Sequence, residues 1–362
     1  MKIIQILPKQ PFFSGGGISG YALTLADQLR KEHTILTTFL SYSELDSHNN
    51  IPEEIAEDDF RCFQVNRQNP EHFYSLLLAL LEEGAKALIW HYIPGYYYLL
   101  KPLQEIKKQY KSKLLIMFHE GISPKGIKGN IKDAVRSILT SKDDKNRGAA
   151  RESAKIADTV LTSNAAYKSV LKRWVDAPIC ISISSNIGEP QYIPPLEERN
   201  RRMIVFGAGP TRKRVYQKSL DQLLTSCHNL GVEEIYDIGS GEMNLPELKE
   251  IKLHKIGEQP SEIISELMLN SWAGFIDYYP PYLSKSSIWA AYCSHGLIPV
   301  CSNGSYSGSD GLEVNKNYCV PNDRMKNFNF IELQSIAQAA YKWYNNHSLE
   351  KNTSIIASLL ID

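Results

Sequence analysis

Ser284-Lys285-Ser286-Ser287 lies between a Pro280-Pro281 turn and an apolar stretch from about Ser287 to His295, ending at Gly296. Ser286 and Ser287 are good helix N-caps, Gly296 can adopt the left-handed conformation that stops a helix, and the prolines cannot continue a central strand because they lack N–H donors. Phe275 to Val300 therefore reads as strand, turn, polar loop, helix and second strand. Unsatisfied backbone N–H groups, the positive end of a helix dipole and an ammonium meet in that loop, which suits a phosphate. A glycine loop, Gly15-Gly16-Gly17, follows the apolar run Lys2–Leu7 and precedes a helix expected from about Tyr21 to Glu32. Gly16 and Gly17 would let backbone approach a ligand closely, or would serve as a plain flexible connection. No Gly-Lys-Ser/Thr follows and the G-x-G-x-x-G spacing is absent, which excludes a Walker loop and a dinucleotide fingerprint.

Two histidines close apolar runs: His91-Tyr92 ends Ala87–Tyr92, and His119-Glu120 ends Leu114–His119. These runs alternate with helical patterns at His72–Glu83 and Tyr96–Tyr110, which argues for an open parallel α/β sheet, and such sheets bind ligands beyond the carboxyl ends of their strands. His119 is accordingly the candidate to touch substrate. Glu120 is the carboxylate nearest that edge and a candidate general base, with loop capping as its competing role.

The elements that must position these residues fall into two halves. After an acidic, polar loop at 44–60 and a glycine- and lysine-rich stretch from 121, Ile127, Ile131, Val135 and Ile138 recur at helical spacing among Lys125, Lys128, Lys132 and Arg136. That pattern fits a helix docked on its own domain or one lying on a membrane. The segment Ser184–Arg202, rich in proline and polar residues, suits an exposed hinge. The pattern then restarts: strand Met203–Phe206, glycine turn Gly207–Pro210, basic run Thr211-Arg212-Lys213-Arg214, helix Gln217–Leu230, strand Ile235–Ile238 ending at Gly239, and short strand Leu253–Gly257. Gly239 and Gly257 are candidate nucleotide-binding positions. The expected domains are residues 1–183, a linker at 184–202, residues 203–340, and a helical tail at 341–362.

A chain of 362 residues with 43% hydrophobic content has material for two cores. No run of eighteen apolar residues occurs, and the first strand lacks the features of a signal peptide, so a soluble, cytoplasmic protein is expected. The six cysteines show no C-x-x-C pair and read as reduced core residues rather than zinc ligands or disulfides. Formal charge is zero overall but uneven: −5 over residues 1–100, +9 over 101–180 and −4 over 181–362. The basic third is either a solvated face or an attraction for an anionic partner, with peripheral contact at the inner membrane through 121–151 as one form of it. No nucleic-acid partner is expected. The tyrosines at 92, 96, 97 and 98 would either pack the domain or offer a carbohydrate platform.

The order of these features resembles the two-domain glycosyltransferases of the GT-B fold, particularly the family 4-like or group 1 enzymes. Three stretches carry the likeness: the glycine loop with Tyr21-Ala22-Leu23-Thr24-Leu25-Ala26, the Met203–Leu224 segment, and Ala290–Val300, which is similar to the family's "EAMACGLPVV". Family members usually carry two glutamates eight positions apart around the phosphate loop, and Leu283 and Ala291 stand at those positions here. The chain thus resembles a divergent subgroup lacking both.

The resemblance implies an α/β protein with two Rossmann-like domains facing each other across a cleft, the first on the acceptor side and the second on the nucleotide-sugar side. It implies a transferase, retaining as in most of the resembled family, that moves a sugar from a UDP-type donor to a glycan, lipid-linked or small-molecule acceptor, as in polysaccharide biosynthesis. Gly16 and Gly17 would approach the donor. Its diphosphate would be held by Ser284, Lys285, Ser286, Ser287, Lys218 and Arg212, with Arg214 competing for the arginine role. His119 and Glu120 are the catalytic candidates. No cofactor is expected, the nucleotide-sugar being a substrate, and the absence of a D-x-D triplet suggests that protein cations do the work of a metal. A non-catalytic nucleotide- or glycan-binding protein of the same fold is the alternative, and an epimerase of this architecture a third reading.

Overall fold

The computed structural model describes residues 1–9, 11, 17–43, 53–57, 60–66, 69–95, 97–120, 122 and 141–361. They form two compact units: Met1–Ser182 with Asn352–Asp362, and Ile183–Lys351.

The first unit is built on an eight-stranded sheet of order β3-β4-β2-β1-β5-β6-β7-β8. Its strands are β1 (Lys2–Leu7), β2 (Leu36–Ser43), β3 (Glu53–Glu57), β4 (Phe60–Asn66), β5 (Ala85–Tyr92), β6 (Lys113–Phe118), β7 (Thr159–Thr162) and β8 (Ile179–Cys180). All neighbours pair parallel except β3 with β4. β1 is buried from Ile3 to Leu7, the continuous pattern of a parallel strand covered on both faces. Helices α1 (Gly17–His33), α2 (Pro70–Glu82), α3 (Leu100–Gln109), α4 (Ser141–Ile156) and α5 (Ala165–Leu171) link the strands.

Part of the stretch expected as an acidic loop is instead the edge strand β3. Glu53 to Glu57 pairs antiparallel with β4, which was itself hidden by its mixed composition. β4 joins the sheet because Phe60, Cys62, Phe63 and Val65 are buried. The helical pattern at Ile127, Ile131, Val135 and Ile138 lies outside the described residues.

The second unit has an all-parallel sheet of order β11-β10-β9-β12-β13. Its strands are β9 (Asn200–Phe206), β10 (Glu234–Ile238), β11 (Lys252–Gly257), β12 (Ser271–Ile276) and β13 (Ile298–Cys301). The helices are α6 (Gly209–Lys218), α7 (Leu220–Leu230), α8 (Ser261–Leu269), α9 (Ser287–Ser294) and α10 (Phe330–Asn345). The basic run 211–214 thus lies inside a helix rather than in a turn, and Ser219 divides that helix from α7. The Tyr292 side chain ties the sheet to α9: its hydroxyl accepts from Phe206 N (3.1 Å) and lies 3.2 Å from the carbonyls of Ile204 and Phe275.

The expected hinge is exposed only in part: Gly188, Glu189, Gln191, Tyr192, Glu197 and Glu198 are exposed, but other residues of the segment pack inward. Ser184, Ser185, Ile187, Leu196 and Arg199 are buried within the second unit. Arg199 Nε donates to Pro194 O (2.9 Å) and Nη1 to His295 O (3.0 Å), while Trp272 Nε1 donates to Leu196 O (2.8 Å). A proline-rich stretch packs this way when its carbonyls find buried donors. Helix α11 (Leu349–Ile361) counts from Asn352 onward with the first unit, where Asn352 Nδ2 donates to Ser182 O (2.8 Å).

Candidate functional site

In the second unit the strands' carboxyl ends converge on glycine turns. Gly207 follows β9 with φ 133°, Gly239 follows β10 with φ 138°, and Gly257 closes β11. Gly207 N donates to Ile238 O (3.1 Å) and Gly239 N to Gly257 O (2.8 Å), so the three strand ends are laced together. A β-carbon on Gly239 would lie 2.0 Å from Gly207 O, and one on Gly207 would lie 2.6 Å from Ile288 Cδ1. Only glycine fits this crossing. The Ile288 contact also sets the first turn of α9 against the end of β9.

Arg212 belongs to the scaffold beneath these turns, which corrects its expected role as a phosphate ligand. It is 1% exposed. Its Nε donates to Gly207 O (2.8 Å), Nη2 to Gly241 O (2.9 Å) and Ser240 O (2.5 Å), and Nη1 to Asp237, itself fully buried. The guanidinium pins both glycine turns and uses four of its five N–H donors in doing so. Arg214 and Lys218 are exposed. Lys218 ends α6, and α7, which starts two residues later, runs back toward the start of β10.

The loop before α9 is a short 3-10 turn, Pro280–Lys285. Ser286 caps α9: its side chain accepts from Trp289 N (3.2 Å), while its own N–H donates to Leu283 O (3.0 Å). Ser287 is the first helical residue, and the dipole and first-turn N–H groups of α9 face the strand ends. Lys285 Nζ lies 5.7 Å from the centroid of the Tyr282 ring. Ser284 is 2% exposed, and its hydroxyl donates to Asp310 Oδ2 (2.8 Å), so its expected phosphate role gives way to a structural one. Asp310 holds a left-handed backbone (φ 58°), and its carbonyl accepts from Trp343 Nε1 (2.8 Å). The sequence pattern did not mark this use of Asp310, because only folding brings 310 beside 284. Leu283 and Ala291 are both fully buried in the apolar core.

In the first unit the strand ends gather Gln5, His91 and His119. Gln5 pairs with Ile89 across β1 and β5, and His91 with Met117 across β5 and β6. Because side chains alternate, Gln5, His91 and His119 share one face, each two residues further along its strand than the last. His91 Nε2 lies 2.8 Å from Gln5 Oε1, and His91 Nδ1 lies 2.9 Å from His119 Nε2. Tyr21 of α1 stands edge-on to both imidazoles, with centroids at 6.0 and 5.6 Å. Burial lowers the His91 pKa to about 3, holding the ring neutral.

Glu120, just past β6, is exposed. Gly17 begins α1 and is exposed, whereas Gly16 lies outside the described residues. Gln5 was missed by the sequence reading; its signal was a lone amide in the apolar run KIIQIL. Tyr92 is buried against Trp90 and Phe118, with centroids at 5.2 and 4.7 Å, so it packs rather than forming a platform. Among the described residues no group of three His, Cys, Asp or Glu could hold a metal, and no helix is long and apolar enough to cross a membrane.

No protein-family model matches this sequence, and no curated protein does. Solved structures are similar along nearly the whole chain. An alpha-glucosyltransferase in complex with UDP and a 13-mer DNA is 13% identical, with 99% of each chain covered and a TM-score of 0.57. An alpha,alpha-trehalose-phosphate synthase (UDP-forming) from Burkholderia xenovorans, in complex with glucose-6-phosphate, is 11% identical, with 99% of each chain covered and a TM-score of 0.62. A putative UDP-N-acetylglucosamine 2-epimerase from Listeria monocytogenes is 13% identical, covering 98% of this chain and 94% of its own, at a TM-score of 0.55. Identities this low establish the fold, which is α/β of the GT-B type.

Proposed function

We propose that this chain is a glycosyltransferase that takes a sugar from a nucleoside diphosphate-sugar, with UDP as the nucleotide. The observation that carries this reading is the edge of the second sheet: the Ser286-capped N terminus of α9 lies against Gly207, beside turns at Gly207 and Gly239 where no side chain fits. A diphosphate there would meet helix N–H groups, with Lys285 of the turn before α9 and Lys218 at the end of α6 as the cations offered to it on this reading. Stabilising the departing nucleoside diphosphate is the largest service such groups can give, since its charge grows as the glycosidic bond breaks. The family 4-like assignment, a retaining outcome and independence from metal belong to the same proposal. On this reading Arg212 preorganises the turns and does not touch phosphate, Gly239 and Gly257 border the nucleotide, and His119 meets sugar or acceptor.

Lys285→Ala tests the reading. UDP affinity, read by thermal shift, and UDP release from a UDP-sugar are both expected to fall by roughly tenfold or more, as for loss of one charge-assisted contact. Unchanged binding and turnover would remove the phosphate clamp.

The burial of Leu283 and Ala291, where the resembled family has carboxylates, favours a second reading: a nucleotide- or glycan-binding protein that keeps the fold without transfer. Stabilisation by UDP is common to both readings, whereas UDP release from a donor sugar belongs only to the first.

A further inference from the structure

We propose that Gln5 and His91 are positioning residues that hold His119 as its Nε2–H tautomer, leaving Nδ1 as the ring atom that accepts a hydrogen bond or a proton. The three side chains form one line: Gln5 Oε1 to His91 Nε2 at 2.8 Å, then His91 Nδ1 to His119 Nε2 at 2.9 Å. A carbonyl oxygen can only accept, so His91 carries its hydrogen on Nε2. His91 is 1% exposed and neutral, so its Nδ1 is a lone pair and must accept. The hydrogen in the second bond therefore belongs to His119 Nε2. In its neutral form the His119 imidazole has one N–H, so with that hydrogen on Nε2 its Nδ1 carries none.

The line is held from several sides. Gln5 is fully buried on β1. His119 N donates to Tyr92 O (3.3 Å), which fixes the backbone from which the second ring projects. The two imidazole planes lie within 18° of each other, and Tyr21, 3% exposed, stands edge-on to both at 72° and 71°. Gln5 Nε2 and the Tyr21 hydroxyl have no hydrogen-bond partner among the described residues. Exchanging the two ends of the Gln5 amide would reverse both bonds and place the hydrogen on His119 Nδ1, so the orientation of one buried amide decides the chemistry of a ring at the strand ends.

The consequence for catalysis rests on the transferase reading. An acceptor hydroxyl that gives its proton to His119 Nδ1 breaks its O–H bond as the Nδ1–H bond forms. The resulting imidazolium keeps its Nε2–H bond to neutral His91, and the acceptor oxygen bonds to the anomeric carbon on the same face from which the nucleoside diphosphate departs with the bonding pair, in keeping with the retaining outcome proposed above.

The test is long-range 1H–15N correlation spectroscopy on the full chain labelled with 15N-histidine, ligand-free, with His119→Gln and His91→Gln used to assign the rings. The expected wild-type result is a protonated Nε2 and an unprotonated Nδ1 on both rings. Gln5→Met, close to isosteric, is expected to move His119 toward the Nδ1–H form and to lower kcat by roughly tenfold or more with donor KM little changed. A protonated Nδ1 on wild-type His119, or both rings unchanged in Gln5→Met, would overturn the proposal. Should Gln5→Met not fold, the wild-type spectrum decides alone. The predicted tautomer in a protein that turns over no donor sugar would defeat the transferase reading and leave the lock standing, while turnover with the opposite tautomer would defeat only the lock.

Discussion

Replacing Arg212 by Met separates a scaffold role from a ligand role. Arg212 is 1% exposed and its partner Asp237 is fully buried, so the substitution leaves a carboxylate in the core without its counterion. Breaking a buried pair from one side costs about 3–5 kcal/mol, and the carbonyls of Gly207, Ser240 and Gly241 lose their donor as well. With an m value of ~2–3 kcal/mol/M, the urea midpoint of the second unit should fall by roughly 1–2 M. Tryptophan fluorescence reports it, since Trp272, Trp289 and Trp343 all lie in that unit. Adding Asp237→Asn removes the stranded charge, so the double variant should recover most of the loss, a coupling that a surface phosphate ligand would not show. An Arg212→Met protein with an unchanged urea midpoint and abolished UDP binding would refute the scaffold argument.

Three further outcomes are expected. In Gly274→Ala the new β-carbon would sit 2.5 Å from Tyr292 Cγ in the packed core, so thermal unfolding should show a loss of about 1–3 kcal/mol or more in the second unit. Tyr292→Phe strands the Phe206 N–H that its hydroxyl accepts at 3.1 Å, and chemical denaturation should show about 1–3 kcal/mol lost. His91, His295 and His347 are held neutral by burial, at about 3, 4 and 4, whereas the unfolded chain titrates near 6.5. Below pH 6.5 the unfolded state binds protons that the folded state refuses, so these residues add nothing above that pH and cost stability progressively below it. Each should cost about 2 kcal/mol at pH 5, read as a falling urea midpoint between pH 7 and pH 5 and reduced in His295→Gln. A flat profile over that range would contradict the burial of these rings.

The alternation of strands and helices, the two-unit plan and the α9 crossover were legible in the sequence, because each rests on local rules. A continuous apolar run makes a buried parallel strand, a serine caps a helix, and Gly296, at φ 62°, ends one. The edge strand β3 escaped notice because an acidic pentapeptide shows no apolar pattern, and only pairing with β4 makes it a strand. Arg212 read as a free cation for the same kind of reason: a basic run in sequence cannot show that one of its members points inward to Asp237, twenty-five residues away.

The site divides along that line. Residue type and spacing alone put glycines at the strand ends, serines at the start of α9 and histidines at the close of β5 and β6. Register decided the rest. The pairing of Gln5 with Ile89 and of His91 with Met117 places three polar side chains on one face of the sheet, and folding sets Asp310 against Ser284. Local chemistry follows from neighbours in the chain, whereas a hydrogen bond between residues 5 and 91 exists only after the sheet has closed around it.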